Sequence, residues 1–288
     1  MSKRILIQLD SDSQPSTFDS VVAIDSNVDH LLRHHNVQVT TVTPLVHGAM
    51  FTRGGDDLKN TAIFVGGSDV SDAEAIFAAA QEAFFGPVRV SLMLDANGCN
   101  TTSAAAVVAA SRHTNLSESK AVVLGGTGPV GRRVTQLLVS DGASVTVTSR
   151  SLARAQDVCE DVGERIDGAK LTPDSPATPD QIRATLGDAD IVIACGAAGI
   201  ELVAEELITD LESLKVAIDL NAVPPAGIGG VGVMDKAKPL GHGVGYGAIG
   251  VGGLKMKTHR RAIEMLFESN DRILDAAEIY AIAKSMDQ

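Results

Sequence analysis

Gly126-Thr127-Gly128-Pro129-Val130-Gly131 carries the spacing G-x-G-x-x-G. Glycine at the first position permits a tight turn, at the second lets a backbone approach a pyrophosphate, and at the third lets a helix pack close to a strand. Alone, the pattern is weak. Here it follows the apolar run 120–124 and opens an amphipathic stretch over 128–141, the strand–loop–helix context that the chemistry needs. A helix beginning there aims free N–H groups and the positive end of its dipole at phosphate. The next apolar run, 144–148, ends in Thr148-Ser149-Arg150, with Arg154 a turn later. An acid at this place would bind a ribose 2′-hydroxyl and select NAD, whereas a guanidinium beside a hydroxyl suits a 2′-phosphate. The sequence therefore favours NADP, with NAD possible; a solvated strand end is the competing account of Arg150. Cys195, Gly196 and Asn221 follow two further strand-like runs, 191–194 and 216–220, and join the candidate cofactor residues.

A second set of polar residues also falls at strand ends. Asp10, Asp12 and Asp19 follow the run 4–9, and Asp95, Asn97, Asn100, Thr101 and Thr102 follow the run 88–94. Turn chemistry explains Asp95 and Asn97 equally well one at a time, and N-capping explains Asn100 or Thr101. Their clustering at one kind of position is what favours ligand binding. Lys255 and Lys257 sit where a glycine-rich segment meets an expected helix over 255–267. Lysine opposes the dipole at a helix N-terminus, so a polar or anionic partner, or plain solvation, accounts for them. His259, Arg260 and Arg261 read as surface. Tyr280-x-x-x-Lys284 matches the Tyr/Lys pair of short-chain dehydrogenases, but Ile279, Ile282 and Ala283 make simple packing of a terminal helix the better account. No His, Cys or Asp cluster has metal-ligand spacing, and no G-x-S-x-G elbow is present.

Strands and helices must alternate to hold these groups. In the first hundred residues, Phe18, Val21, Val22, Val28, Leu31 and Leu32 recur at helical spacing, and 61–65 reads as a buried strand ending at Gly66-Gly67. Ser71 and Glu74 form a capping box for a helix to about residue 85, and an alanine-rich helix spans 101–113. The polar stretch 114–119 is the linker candidate. Beyond it come strand 120–124, helix 128–141, strand 144–148, helix 151–166, a loop over 172–180 before a short helix, and strands 191–194 and 216–220. Residues 227–253 hold 11 of the 28 glycines, and helices over 255–267 and 275–284 finish the chain. The expected fold is α/β: an N-terminal α/β substrate domain over 1–116, completed by the C-terminal helices 255–288, and a Rossmann NADP-binding domain over 117–254.

Composition narrows the function. The 288 residues carry 36 acids against 24 bases, a net charge of −12, and only 3% aromatics with no Trp. Neither the basic footprint nor the stacking surface of a nucleic-acid binder is there. Three cysteines without close pairs fit a reducing compartment, so the cytoplasm is expected, and no apolar run reaches membrane-spanning length.

Several longer strings resemble a known family. Thr52-Arg53-Gly54-Gly55, Thr61 to Gly67, Phe84-Phe85-Gly86-Pro87, Met93-Leu94-Asp95-x-Asn97-Gly98-x-Asn100-Thr101-Thr102, Asn221-x-x-Pro224-Pro225-x-Gly227-Ile228-Gly229-Gly230 and Gly252-Gly253-Leu254-Lys255-x-Lys257 are similar to segments of NAD(P)-dependent methylene-tetrahydromethanopterin dehydrogenases of methylotrophic bacteria. The resemblance runs nearly end to end. It implies a reduced pterin substrate, a cleft between the two domains and a homotrimer. It places Lys255 at the pterin beside the nicotinamide, with Asp19, Asn97, Asn100 and Thr102, and Lys257 nearby.

The implied reaction fits the absence of a catalytic triad. Loss of hydride from a carbon bridging two nitrogens leaves an amidinium-like methenyl cation and releases no proton, so placement and charge stabilisation suffice. Asp19 suits the developing positive charge, and Lys255 the pterin carbonyl. Three other readings remain at this level: a methylene-tetrahydrofolate dehydrogenase, cyclohydrolase activity at the methenyl carbon, and a non-catalytic NADP sensor.

Overall fold

Continuous apolar runs near residues 6, 62, 92, 122, 192 and 217 become strands buried on both faces, the pattern of parallel sheets covered by helices. The computed structural model describes residues 2–287, which divide into two compact units: 2–101 with 256–287, and 102–255. The first unit opens with β1 (Ile5–Asp10), α1 (Thr17–Asp25), β2 (His30–His34), α2 (Val39–Met50), β3 (Thr61–Gly66), α3 (Val70–Glu82) and β4 (Ser91–Leu94). The alanine-rich α4 (Cys99–Ser111) leads into the second unit, where its residues 103–110 are all buried. There follow β5 (Lys120–Leu124), α5 (Pro129–Ser140), β6 (Ser144–Thr148), α6 (Leu152–Arg165), β7 (Lys170–Asp174), α7 (Pro179–Leu186), β8 (Ile191–Ala194), α8 (Glu205–Thr209), β9 (Val216–Asp219), β10 (Lys238–Leu240) and β11 (Gly243–Tyr246). Helix α9 (Ala248–Met265) carries the chain back to the first unit, which closes with β12 (Ile273–Leu274) and α10 (Ala276–Ser285).

The first unit's sheet has the order β2-β1-β3-β4-β12, parallel throughout. Its strand order reverses between β1 and β3, and in open α/β sheets ligands bind beyond the strand ends at such a reversal. The second unit's sheet runs β7-β6-β5-β8-β9-β11-β10, parallel except for the β10–β11 pair. Its first six strands have the doubly wound dinucleotide-binding order, and the reversal falls between β5 and β8.

Five expectations are corrected. The helical spacing over 18–32 breaks at Asn27, whose φ of 60° ends α1, and Leu31 and Leu32 lie on edge strand β2 instead. Asp69, not Ser71, caps α3, accepting from the N–H groups of Ser71 and Asp72. The 172–180 segment contains the end of edge strand β7, hidden in the sequence by Pro173. Finally, the glycine-rich segment folds as the β10–β11 hairpin and the first two turns of α9. Its glycines serve close approach: a side chain at Gly250 would land on the Asp235 carbonyl. The boundary between units falls after Thr101, inside α4, rather than in the polar stretch 114–119.

Candidate functional site

The fingerprint loop lies between the end of β5 and α5, and its shape is set by missing β-carbons. A Cβ on Gly131 would stand 2.6 Å from Gly126 Cα, so this glycine lets α5 press against the loop. A Cβ on Gly126 would meet Val147 Cγ1 at 2.8 Å, while Gly125, at φ +65°, passes so close to Gly196 that a Cβ would be 2.6 Å from its Cα. Gly128 has open space where a Cβ would project, and it is the N-cap of α5 with Pro129 at the first helical position. Side chains are thus excluded on the inner side by packing and are absent on the outer side. Thr148 braces the turn from the neighbouring strand, its carbonyl accepting from Gly126 N (2.9 Å) and its Oγ1 from Gly125 N (3.3 Å).

A cavity of about 560 Å³ opens at this β5/β8 reversal. Gly125, Thr127 and Gly128 form one wall, Cys195 and Gly196 the end of β8 another, and Ser149, Arg150 and Arg154 the far end. That far end is the N-terminus of α6. No acid occupies the helix's first turn, and its N-cap, Ser151, makes no side-chain capping bond. Unsatisfied N–H groups, two exposed guanidiniums and two hydroxyls therefore share one place, a fit for a dianionic phosphate. Cys195 is no thiolate nucleophile, because burial, with the Asp219 carboxylate nearby, pushes its thiol well above the ordinary range. Asn221 turns back on its own loop, accepting from Val223 N (3.0 Å) and donating to Pro225 O (3.2 Å). Behind it the buried Asp219 holds Asn221, Gly227 and Ile228 by their N–H groups, a role that its place inside an apolar strand concealed.

The first unit gathers a second polar group at its own strand ends. Asp10, fully buried, accepts from Gln8 Nε2 (3.1 Å), Asp12 N (3.0 Å) and Ser16 N (3.1 Å), which fixes the loop into α1. Asp19 stands in the first turn of α1 and is 8% exposed. Both carboxylates border Gly66 at the end of β3: a Cβ there would be 3.4 Å from Asp10 Oδ2 and 3.5 Å from Asp19 Oδ2. Asp12 bridges to the next loop, accepting from Ser68 N (3.0 Å) and Ser68 Oγ (2.7 Å). Asn97 adopts φ 50° with its side chain exposed and its N–H bonded to Gly67 O (2.9 Å). Asn100, by contrast, is completely buried, donating to Leu94 O (2.6 Å) and to Asp275 Oδ1 (2.9 Å). Asp95 caps α4 through Asn100 N (2.9 Å), Thr101 N (3.0 Å) and Thr101 Oγ1 (2.7 Å).

Helix α9 changes the setting of the two lysines. It begins at Ala248, so Lys255 lies two turns inside and the dipole argument for it falls away. Lys255 is half-buried and Lys257 exposed, and two residues apart on a helix they point to different sides. His259, read from sequence as surface, is fully buried; so is Thr258. Tyr280 is 3% exposed with the Lys284 ammonium 4.3 Å over its ring, which is packing. Among the described residues no group of three or more His, Cys, Asp or Glu side chains is placed to hold a metal.

Strand order and glycine cradle define a doubly wound α/β protein with a dinucleotide-binding unit, and comparison with known proteins places it more narrowly. Residues 17–97 match the family model for methylene-tetrahydromethanopterin dehydrogenase, N-terminal, and residues 107–232 match that for shikimate / quinate 5-dehydrogenase. The chain is 43% identical over 288 residues to the "Bifunctional protein MdtA" of Methylorubrum extorquens, covering 99% of this chain and all of that one. It is 31% identical over 293 residues to the "NAD(P)-dependent methylenetetrahydromethanopterin dehydrogenase" of the same bacterium, covering 98% of each. Among solved structures, a shikimate 5-dehydrogenase from Listeria monocytogenes, in complex with shikimate and NAD, superposes with a TM-score of 0.55 at 12% identity. It covers 97% of this chain and 96% of that one; at that identity the likeness speaks for the fold alone. The chain belongs to the methylenetetrahydromethanopterin dehydrogenase family.

Proposed function

We propose that this protein is an oxidoreductase that converts methylene- to methenyl-tetrahydromethanopterin, with NADP⁺ the preferred hydride acceptor and NAD⁺ an alternative. One observation carries the reading: a chain related end to end to an enzyme named for this reaction also holds a side-chain-free pyrophosphate cradle at the β5/β8 reversal. When bound, the nicotinamide supplies the hydride acceptor. Gly125, Gly126, Thr127, Gly128, Pro129, Val130 and Gly131 form the pyrophosphate turn, and Ser149, Arg150 and Arg154 bind the 2′-phosphate. Cys195, Gly196 and Asn221 shape the nicotinamide end.

Asp19 provides negative charge for the developing methenyl cation. At about 4 Å a carboxylate stabilises a unit positive charge by on the order of 4 kcal/mol in a protein-like dielectric, or about a thousandfold in rate. Stabilisation of that size needs no proton-transfer group. Lys255 orients the pterin carbonyl, Asn97 and Thr102 line the ring, and Lys257 adds charge on the solvent side. Asn100 contributes from behind, because its amide is committed to Leu94 and Asp275. The protein works in the cytoplasm as a homotrimer. Three cysteines without a disulfide support the first statement. Exposed Phe18, Val21 and Ile24 along one side of α1 support the second.

The test is reduced-nicotinamide formation with methylene-tetrahydromethanopterin or methylene-tetrahydrofolate, each crossed with NADP⁺ and NAD⁺. The expected result is fastest turnover with the methanopterin substrate and NADP⁺. Turnover with folate alone would reassign the substrate, and silence in all four mixtures would remove the catalytic reading.

A further inference from the structure

His259 is the residue whose environment departs furthest from its sequence context. It stands in Thr258-His259-Arg260-Arg261, yet its side chain is wholly inaccessible within the first unit. Its Nδ1 lies 3.7 Å from Asp95 Oδ2, which is electrostatic contact but too long for a hydrogen bond. The ring stacks on Phe64 of β3, with centroids 5.7 Å apart and planes 24° apart, and it meets Phe18 of α1 at 6.4 Å. Phe18 is the residue before Asp19, and Asp95 opens the turn that carries Asn97 and Asn100. One imidazole thus touches α1, β3 and the β4–α4 turn, and the first and last of these lead to the proposed substrate residues Asp19, Asn97 and Asn100.

Its own helix bears another, Lys255. In the part of α9 that belongs to the first unit, Thr258, His259, Ala262 and Ile263 are buried, and Leu266 just past its end continues that face. Counting back one turn from His259 along that face reaches Lys255. The rest of the face is small or apolar, and a well-packed hydrophobic side chain in place of a buried polar pair is often neutral or stabilising. A buried imidazole opposite a buried carboxylate therefore makes poor sense as packing alone. It makes sense as a register device: the carboxylate, held by Asn100 N and Thr101, attracts the ring at one rotation of α9 and not at another.

We infer that His259, paired with Asp95, is a positioning residue that sets the rotation of α9 and so the aim of the Lys255 ammonium at the pterin. This rests on the proposed role of Lys255. The His259 ring touches no substrate; it acts through Lys255.

A double-mutant cycle in the full-length protein tests it. His259→Phe keeps the ring on Phe64 and abolishes the attraction to Asp95. The expected result is at least a tenfold fall in kcat and a raised KM for methylene-tetrahydromethanopterin. NADP⁺ affinity should stay within twofold, and His259→Gln should restore much of kcat. In a Lys255→Ala background, His259→Phe should cost nothing further. Independent, multiplying losses in the double variant would overturn the inference, as would an unchanged kcat in His259→Phe. Asp95→Asn approaches the same pair from the other side and should reproduce the kinetic pattern. If neither His259→Phe nor Asp95→Asn yields folded protein, the pair is a core element only and the inference is wrong. Undiminished turnover in Lys255→Ala alone would instead refute the proposed role of Lys255.

Discussion

At the scale of single residues, Arg150 decides most about the cofactor. Its exposure next to the uncapped N-terminus of α6 leaves the guanidinium available to an anion, and Ser149 and Ser151 supply hydroxyls beside it. Arg150→Asp replaces attraction with repulsion at a 2′-phosphate and offers a carboxylate to a ribose 2′-hydroxyl. The expected result is a rise in KM for NADP⁺ of at least about tenfold, the price of roughly 1.4 kcal/mol or more in binding, with KM for NAD⁺ unchanged or lower. Equal changes for the two cofactors would return Arg150 to the solvated surface. The residue scale is also where sequence reading failed most plainly. Nothing in Thr258-His259-Arg260-Arg261 marks one member as buried, because the neighbouring arginines are charged and the contacts of His259 come from β3, α1 and the β4–α4 turn. The periodicity of α9 was the available signal: Ala262, Ile263 and Leu266 continue the face of His259 at helical spacing.

Among the elements, the strand–loop–helix around Gly126 to Gly131 was legible because its demands are local. Gly131 answers to Gly126 five residues away, Gly126 answers to Val123 and to Val147 of the next strand, and Gly128 faces the open space that a ligand needs. Gly131→Ala tests that account. Its Cβ would sit 2.6 Å from Gly126 Cα, so α5 must shift away from the loop. Overpacking of this kind costs roughly 1–3 kcal/mol. Thermal unfolding should fall by several degrees, and KM for NADP⁺ should rise more than KM for the pterin. An unaltered NADP⁺ KM would show that α5 and the loop need not approach this closely. The 227–253 segment was illegible for the opposite reason. Its glycines answer to distant backbone, Gly243 to Lys215 O and Gly241 to Thr209, so composition alone marked no element where a hairpin and a helix start form.

For the whole molecule, two sheets of different strand order, one parallel and one parallel but for the β10–β11 pair, have their reversals between β1 and β3 and between β5 and β8. The first unit is not a continuous stretch of sequence, since 256–287 returns to it and β12 pairs with β4. At this scale the proposed homotrimer makes the prediction. Light scattering of the purified protein should give three times the 29.9 kDa chain mass. Replacing Val21 and Ile24, both 56% exposed on α1, by aspartate should lower that mass if α1 forms the contact. A monomer in the unaltered protein would dispose of the trimer.

What the sequence by itself determined is what neighbours in the chain impose. Apolar runs flanked by turn residues became strands, G-x-G-x-x-G became a cradle, and Asp275 with Glu278 became the capping box of α10. What only tertiary structure decided is which distant groups meet. Strand order set the two reversals, Asp10 and Asp19 came to border Gly66, and Lys255 moved from a supposed helix start to the third turn of α9. The reason is physical: caps, turns and periodicity are fixed by bonds spanning a few residues, whereas burial of a His259 or an Asp219 is paid for by partners that only the folded chain brings near.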